Sequence, residues 1–467
     1  MKVLFTHSFF LAFDEKQEQS GDIYPPLGTL IAAAMARDAG HDVALYDSTF
    51  EQGPAPSFAE VVARELPQAV VVFDDNFHWL SKMCLARMRN AAHAMICVAA
   101  KGAKVMVAGS DASDDPTCYL EAGANCVVTG EAEFHMLEIL GAWSQGQATP
   151  VLPGVVISGN TDRMQKKRGE RDLSRFPRAA WDLVDMTPYR RRWLEQNKPF
   201  SLNMTTTRGC PYQCNWCAKP IHGRRYDVRS AEDCAREIAF LVSQYGAQHI
   251  WFTDDIFGLK PGWVANYADA CAELNMHVPY KIQARADMMS PTLVRELGRS
   301  GCAEVWMGVE SGSQRILDAM QKDLKVDQSI SACVLLREAG IRVGFFLQFG
   351  YPGEEASDIQ ATWEMVEKAR PDQIGISVSY PLPGTPFHEK VAHELEEHDH
   401  WDHSNYMMPL HKATYPKHFY PALFYYFHEC FNLLQKKQPL ERVKTWVRYL
   451  EARHQLRRFG VDGVSFR

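Results

Sequence analysis

A chain of 467 residues, 46% hydrophobic and 23% charged, has room for two or three domains with separate cores and the composition of an ordinary globular protein. Its formal net charge of -7 argues against a general nucleic-acid or anionic-membrane binder, since such partners draw clustered Lys and Arg, and the short basic run Lys166-Lys167-Arg168 reads as a solvated linker. No uninterrupted apolar run reaches membrane-span length, and Met1 to Thr6 enters an apolar strand without the charged and cleavable regions of a secretory signal.

From residue 1 to about 145, short β-branched runs alternate with helical stretches. Strands are predicted at Lys2 to Thr6, Val43 to Asp47, Ala69 to Phe73, Lys104 to Ala108 and Asn125 to Val128, with a helix from about Leu27 to Ala39. Over 1–145 this α/β alternation predicts a doubly wound, Rossmann-like parallel sheet with helices on both faces. Ligands of such sheets bind beyond the carboxyl ends of the strands, which here carry His7-Ser8, Asp74-Asp75-Asn76, Gly109-Ser110-Asp111 and Gly130-Glu131. Residues 146–196 scatter Pro150, Pro153, Gly154, Gly159, Pro177 and Pro188 among charges and are read as a linker.

The rhythm resumes over 197–390, with strands predicted at Ser201 to Thr205, His249 to Thr253, Tyr280 to Ala284, Glu304 to Gly308, Val343 to Gln348 and Gln373 to Val378. Six βα units predict a partial (β/α)6 barrel, an open relative of the eight-stranded form, with its chemistry at the carboxyl ends of the strands. Residues 391–467 turn helical and aromatic, above all from Phe419 to His428, and predict a helical cap on the barrel.

Cys210, Cys214 and Cys217 stand just after the first barrel strand in the run Arg-Gly-Cys-Pro-Tyr-Gln-Cys-Asn-Trp-Cys. Three thiolates on one short loop can hold three irons of a four-iron cluster and leave the fourth open to a small chelating substrate. A zinc site is the main alternative, but structural zinc closes with four ligands, usually as two separated pairs; Cys234 on a predicted helix and His222 beside the Gly223 turn make poor fourth partners. Three ordinary buried thiols would leave Gly209 and Pro211 without a purpose. The twelve cysteines lack disulfide-framework spacing and a thiolate cluster needs a reducing compartment, so a cytoplasmic location is expected.

This segment closely resembles the radical S-adenosylmethionine (SAM) superfamily. There the open iron of a 4Fe-4S cluster binds the amino and carboxylate groups of SAM, and one electron cleaves a carbon–sulfur bond to give a 5′-deoxyadenosyl radical. The resemblance implies that Trp216 packs near the adenine, a role compatible with that of a plain core aromatic. Asp254 and Asp255 follow the second strand, where many relatives carry a glycine-glycine-glutamate turn for the methionyl amine; here the sequence departs, and the two carboxylates stand in its place. Arg285, after the third strand, is placed to face the methionyl carboxylate. Glu310 and Ser311, in the run Gly308 to Ser313, match the stretch that contacts ribose and carboxylate, and a carboxylate can accept from both ribose hydroxyls. Gln348 leads into Gly350-Tyr351-Pro352-Gly353-Glu354, whose glycines permit backbone approach to the adenine, and Tyr380 to Pro386 forms a rigid lip. Each glycine alone reads equally as a turn; their joint register with six strand ends carries the resemblance.

Tyr24-Pro25-Pro26-Leu27-Gly28, Gly109-Ser110 and Gly130-Glu131-Ala132-Glu133 resemble the cobalamin (B12)-binding domain that precedes the radical barrel in one large subgroup. That subgroup includes the anaerobic magnesium-protoporphyrin cyclases and the class B radical methyltransferases, and the resemblance covers about residues 1 to 390. Asp74, Asp75 and His78 are further binding candidates at the sheet edge. No Asp-x-His-x-x-Gly string occurs, and His7 is followed by Ser8-Phe9-Phe10, so cobalamin held without histidine ligation is implied; a domain that has lost its ligand is the alternative.

The pair of cofactors implies methylation of an unreactive carbon of a specialised metabolite. The alternatives are a radical cyclase, ring-rearranging or oxidising enzyme, and a cobalamin- or SAM-binding sensor without turnover. Implied partners are a small-molecule substrate and an external one-electron donor of flavodoxin or ferredoxin type, with no nucleic acid and no membrane span. His222, Arg224, Arg225, Tyr226 and Tyr380 are polar groups near the barrel mouth, read first as loop or interdomain contacts, and no catalytic acid or base is assigned.

Overall fold

The computed structural model describes residues 1–74, 85–159, 169–217, 221–395, 401, 406–435 and 439–459. The chain divides into two compact units, Met1–Pro211 with Lys219–Asp254 and His400–Tyr406, and Tyr212–Ala218 with Asp255–Asp399 and Met407–Arg467. Among the described residues no helix is long and apolar enough to cross a membrane.

The first unit holds a six-stranded sheet built from β1 (Lys2–Thr6), β2 (Asp42–Tyr46), β3 (Ala69–Phe73), β4 (Lys104–Ala108), β5 (Cys126–Val128) and β6 (Val155–Val156), in the order β2-β1-β3-β4-β5-β6. The first five are parallel; β6 joins the edge antiparallel, with Val127 opposite Val156. Every residue of β3 is buried, as the unbroken run Ala-Val-Val-Val-Phe requires of a central strand covered on both faces. On one face Leu4, Val70, Val72, Val105 and Val107 pack against Met95 and Ile96 of the helix Ala86–Ala99. The helix Leu27–Asp38 is anchored by Thr29, whose hydroxyl donates to the carbonyl of Phe73 at 2.6 Å.

The described residues of the predicted linker, 146–159 and 169–196, hold more regular structure than its scattered prolines suggest. They contribute β6 and the helix Met186–Glu195, whose Tyr189 and Trp193 are buried. The same unit carries β7 (Ser201–Met204), paired in parallel with β10 (His249–Phe252), and a small antiparallel ribbon of β8 (Thr207–Arg208) with β9 (Asp227–Val228). Two-residue strands have no periodicity to reveal them in a sequence.

The second unit contains the parallel ladder of β11 (Tyr280–Ala284), β12 (Cys302–Glu310), β13 (Arg342–Phe349) and β14 (Gln373–Val378), with helices between successive strands. Strands β7 and β10 of the first unit and β11 to β14 of the second fall where the sequence pattern predicts the strands of six βα units. Strand β12 runs past its predicted end at Gly308, because a register shift between Gly308 and Glu310 lets it continue beside β13. The aromatic C-terminal segment forms the helix Phe419–Gln435, where Phe427 packs on Phe349 and Trp363 at 5.4 and 5.3 Å between ring centroids. A last helix, Pro439–Arg457, stacks Tyr449 on Tyr426.

Candidate functional site

Two carboxylates organise the approach to the first cysteine. Asp254, at the end of β10, is buried and accepts from the backbone N–H groups of Thr206 and Thr207 at 2.7 and 2.9 Å and from the hydroxyls of Thr205 and Thr206. Burial pushes its carboxyl up, outweighing the donors that pull it down. Asp254 thus serves the turn that leads to Cys210 and has its oxygens filled. Asp255 is half-buried at the start of the second unit.

Gly209 sits at φ 82°, and a Cβ there would fall 2.5 Å from the carbonyl oxygen of Arg225, so only glycine lets these backbones meet. The N–H of Cys210 donates to the carbonyl of Gly223 at 3.3 Å. Glu131 lies beside this hairpin: Arg208 and Arg225 both donate to it, the latter at 3.0 Å, and His222 is 3.6 Å away. Burial alone would raise the Glu131 carboxyl, but His222, Arg208 and Arg225 hold it far below the usual range. Glu133 Oε1 also pairs with Arg208 Nη1, at 2.8 Å.

In the second unit Cys214 is buried and Cys217 half-buried, with the Cys217 N–H donating to the Cys214 carbonyl at 3.3 Å. Asn215 pins the loop from both ends. Its N–H donates to Met320 O at 3.0 Å, its side-chain amide to Ala319 O at 2.8 Å, and its carbonyl accepts from Phe387 N at 3.0 Å. The Tyr351 hydroxyl lies 3.0 Å from the Asn215 amide, which sequence reasoning did not assign. Trp216 packs against Ile316, Met320, Tyr351 and Phe387.

Among the described residues no three His, Cys, Asp or Glu side chains converge as a preformed ion-binding group, so the fit to an iron–sulfur cluster rests on the donor set: three thiols within the eight residues 210–217, on a backbone pinned at several points. The fourth partners that zinc would need are engaged elsewhere. Cys234 is wholly buried, which pushes its thiol well up, and His222 serves Glu131.

The strand ends of the second unit present buried polar atoms with unmet capacity. Arg285 donates to both oxygens of Asp287 and, at 2.7 Å, to Asp323 O, and lies over the Tyr212 ring at 3.8 Å. Among the described residues its remaining Nη1 has no hydrogen-bond partner, nor has Gln348 Oε1 or Trp216 Nε1. Glu310 adopts φ 65°, a left-handed conformation unusual outside glycine, and pairs at 2.8 Å with Lys322, both side chains being at most 7% exposed. Burial alone would pull the Lys322 ammonium down; Glu310 and then Cys214 outweigh it and hold it above its ordinary value. Lys322 also stands 5.8 Å from the Trp216 ring centroid. Ser311 is committed locally, accepting from Ser313 N at 3.1 Å and meeting the Thr362 hydroxyl. A guanidinium N–H, an amide oxygen and an indole N–H left open beside a buried Glu–Lys pair suit a zwitterion joined to a nucleoside, the donor and acceptor set of SAM.

Glu354, in the turn after β13, accepts from Gly350 N at 2.7 Å while burial pushes its carboxyl up to about 8. The folded state therefore keeps a proton that the unfolded chain releases near pH ~4.3, so this group's contribution falls by about 1.4 kcal/mol per pH unit up to the folded pKa and is absent above it. In urea titrations from pH 5.5 to 8.5, Glu354→Gln is expected to flatten that decline and to exceed wild-type stability at the alkaline end. Parallel pH profiles for the two proteins would contradict the assignment.

At the carboxyl edge of the first sheet, Asp74 accepts from the Ser8 N–H and hydroxyl, both at 2.8 Å, and burial pushes its carboxyl up. A Cβ on Gly109 would fall 2.9 Å from Asp74 Cβ, and the neighbouring buried Ser110 hydroxyl has no hydrogen-bond partner among the described residues. Gly130 is buried, and its N–H donates to the Ser113 hydroxyl oxygen at 2.9 Å. This cradle with an open hydroxyl fits the face and amide rim of a corrin. His7 turns its ring to Asp47, 3.0 Å away, and to the Ser48 hydroxyl, so both nitrogens have neighbours. Tyr24 wedges between Trp193 and Trp251, Pro25 accepts from Asn203 at 3.1 Å, and Pro26, Leu27 and Gly28 are buried at the start of the first long helix. Asp75 and His78 lie outside the described residues. Arg224 is exposed, and Tyr226 and Tyr380 are half-buried.

Residues 204–366 match the Radical SAM superfamily, and residues 18–140 match the B12 binding domain. The chain belongs to the B12-binding radical SAM enzymes. Among relatives of this radical SAM enzyme, an uncharacterised methyltransferase of Pyrococcus horikoshii is 25% identical over 384 residues, 80% of each chain. A hopanoid C-3 methylase of Methylococcus capsulatus is 25% identical over 398 residues, 80% of this chain and 70% of that one. The solved radical SAM methyltransferase TsrM of Kitasatospora setae, with cobalamin and a 4Fe-4S cluster bound, superposes with a TM-score of 0.66 at 20% identity, covering 84% of this chain and 74% of its own. At that identity the likeness is one of fold.

Proposed function

We propose that this radical SAM enzyme methylates an unactivated carbon of a small-molecule substrate. The carrying observation is the open polar set of Arg285 Nη1, Gln348 Oε1 and Trp216 Nε1 beside the Glu310–Lys322 pair, in a chain that also has a B12-binding domain. The relatives named as methyltransferases support the same reading. When bound, the cluster and SAM supply one-electron chemistry for hydrogen abstraction, and cobalamin supplies methyl transfer.

The protein's own work is binding and alignment. Arg285, held by Asp287 and Asp323, offers its open N–H to the methionyl carboxylate. Glu310 accepts from ribose hydroxyls while Lys322 balances its charge, and Gln348 receives an amine hydrogen of the adenine. On this reading Cys210, Cys214 and Cys217 hold the irons, while Gly109, Ser110 and Asp74 border the corrin. A flavodoxin- or ferredoxin-like donor supplies the electron, and a thiolate loop that needs reducing conditions supports a compartment such as the cytoplasm.

Incubation with SAM deuterated in its methyl group, a reductant and hydroxocobalamin under anaerobic conditions separates the readings. Methyl transfer predicts 5′-deoxyadenosine together with deuterated methylcobalamin. Deoxyadenosine without labelled methylcobalamin would overturn it in favour of a cyclase or oxidase, and a bound corrin with no deoxyadenosine would point to a sensor.

A further inference from the structure

Glu131 and Glu133 belong to the run that resembles the cobalamin edge, yet their partners come from the cluster loop. Glu131 Oε1 accepts from Arg208 and from Arg225 Nη2 at 3.0 Å; Oε2 accepts from the same Arg225 nitrogen and from the N–H of Glu170 at 2.6 Å. A carboxylate has about four lone-pair sites, and here all of them point at protein donors. Glu133 pairs with the same Nη1 of Arg208 at 2.8 Å.

These arginines bracket Cys210. Arg208 is two residues before it, only 2% exposed and lying 3.7 Å over the Phe176 ring, and its strand β8 pairs with β9. Arg225 is on the returning arm, where Gly223 receives the Cys210 N–H and Asp227 holds the Arg225 Nε at 2.9 Å. One buried carboxylate from the sheet domain thus ties both arms of the hairpin that presents the first cysteine.

We propose that Glu131 and Glu133 are positioning residues that hold Cys210 for the cluster and balance the charge of Arg208 and Arg225 beside it, rather than contacts to the corrin. This rests on the cluster reading above. Hydrogen bonds and charges just outside the ligands tune iron–sulfur potentials. Removing the Glu131 charge takes one negative charge from beside the cluster, which favours the added electron and moves the potential in the positive direction.

The test compares wild type with Glu131→Gln, Glu133→Gln and Arg225→Lys after anaerobic reconstitution. It reads iron per chain, the cluster midpoint potential by electron paramagnetic resonance, and hydroxocobalamin affinity by tryptophan fluorescence. All three variants are expected to retain less iron, Glu131→Gln is expected to shift the potential positively, and cobalamin affinity is expected to stay at the wild-type value. Loss of cobalamin affinity in Glu131→Gln, alone or together with iron, would overturn the proposal, as would unchanged iron and potential throughout. Arg225→Lys keeps the charge and lies outside the segment 18–140 that matches the B12 binding domain, so full iron retention there would also count against it. Iron in the wild type tests the underlying cluster reading, whereas the ratio of variant to wild type tests this one.

Discussion

Cys214→Ala is expected to reduce SAM cleavage to the level of reductant without protein and to strip most of the iron, while cobalamin uptake stays intact. Cys214 is the buried middle member of the triplet; its neighbours on the loop are held by Asn215 through Met320, Ala319 and Phe387. A backbone fixed this firmly cannot bring another side chain to the vacated iron, and two thiolates hold a four-iron cluster poorly. Cys97→Ala and Cys234→Ala serve as controls. Cys97 is exposed on a helix of the sheet domain and Cys234 is buried on the helix after β9, so neither change is expected to alter iron content. Retention of iron and cleavage in Cys214→Ala would mean that the cluster is not on this loop.

Lys322→Met is expected to destabilise the ligand-free protein by about 3–5 kcal/mol, because it leaves Glu310 buried without its counterion. The double variant Lys322→Met, Glu310→Gln is expected to recover most of that loss, since a neutral pair needs no counter-charge. Urea denaturation gives both values. SAM affinity, measured by equilibrium dialysis, is expected to fall in both variants, because the proposed ribose acceptor is either mispositioned or has lost its charge. A cost below ~1 kcal/mol, the range of exposed ion pairs, would contradict the buried geometry.

The contrast between what could and could not be read from the sequence follows the range of the interactions. Strands such as Ala69–Phe73 and Tyr280–Ala284 are written in local apolar runs, and structure and expectation coincide there. The ribbon of β8 and β9 is too short for a pattern, and the helix Met186–Glu195 was masked by the prolines around it. At the site, residue types at strand ends pointed to Arg285, Glu310 and Gln348. Lys322, twelve residues beyond its partner Glu310, carries no local mark, and neither does the use of Asn215 as a tether. The pairing of Glu131 with Arg208 spans 77 residues, and only the folded chain shows that a carboxylate in a cobalamin-like motif is occupied by a cluster-loop arginine. Asp254 is a similar case: its position after the second barrel strand suggested a ligand contact, while its hydrogen bonds go to Thr205, Thr206 and Thr207.

One preparation decides whether the two cofactor systems work in one protein. The chain is reconstituted anaerobically with iron, sulfide and hydroxocobalamin, desalted, and examined by ultraviolet–visible spectroscopy before and after adding SAM and a reductant, with mass analysis of the products. A cobalamin-dependent radical enzyme retains corrin and cluster together and yields 5′-deoxyadenosine. A cluster that cleaves SAM in protein with no retained corrin would contradict the cobalamin half of the account, and retained corrin with neither cluster nor cleavage would contradict the radical half.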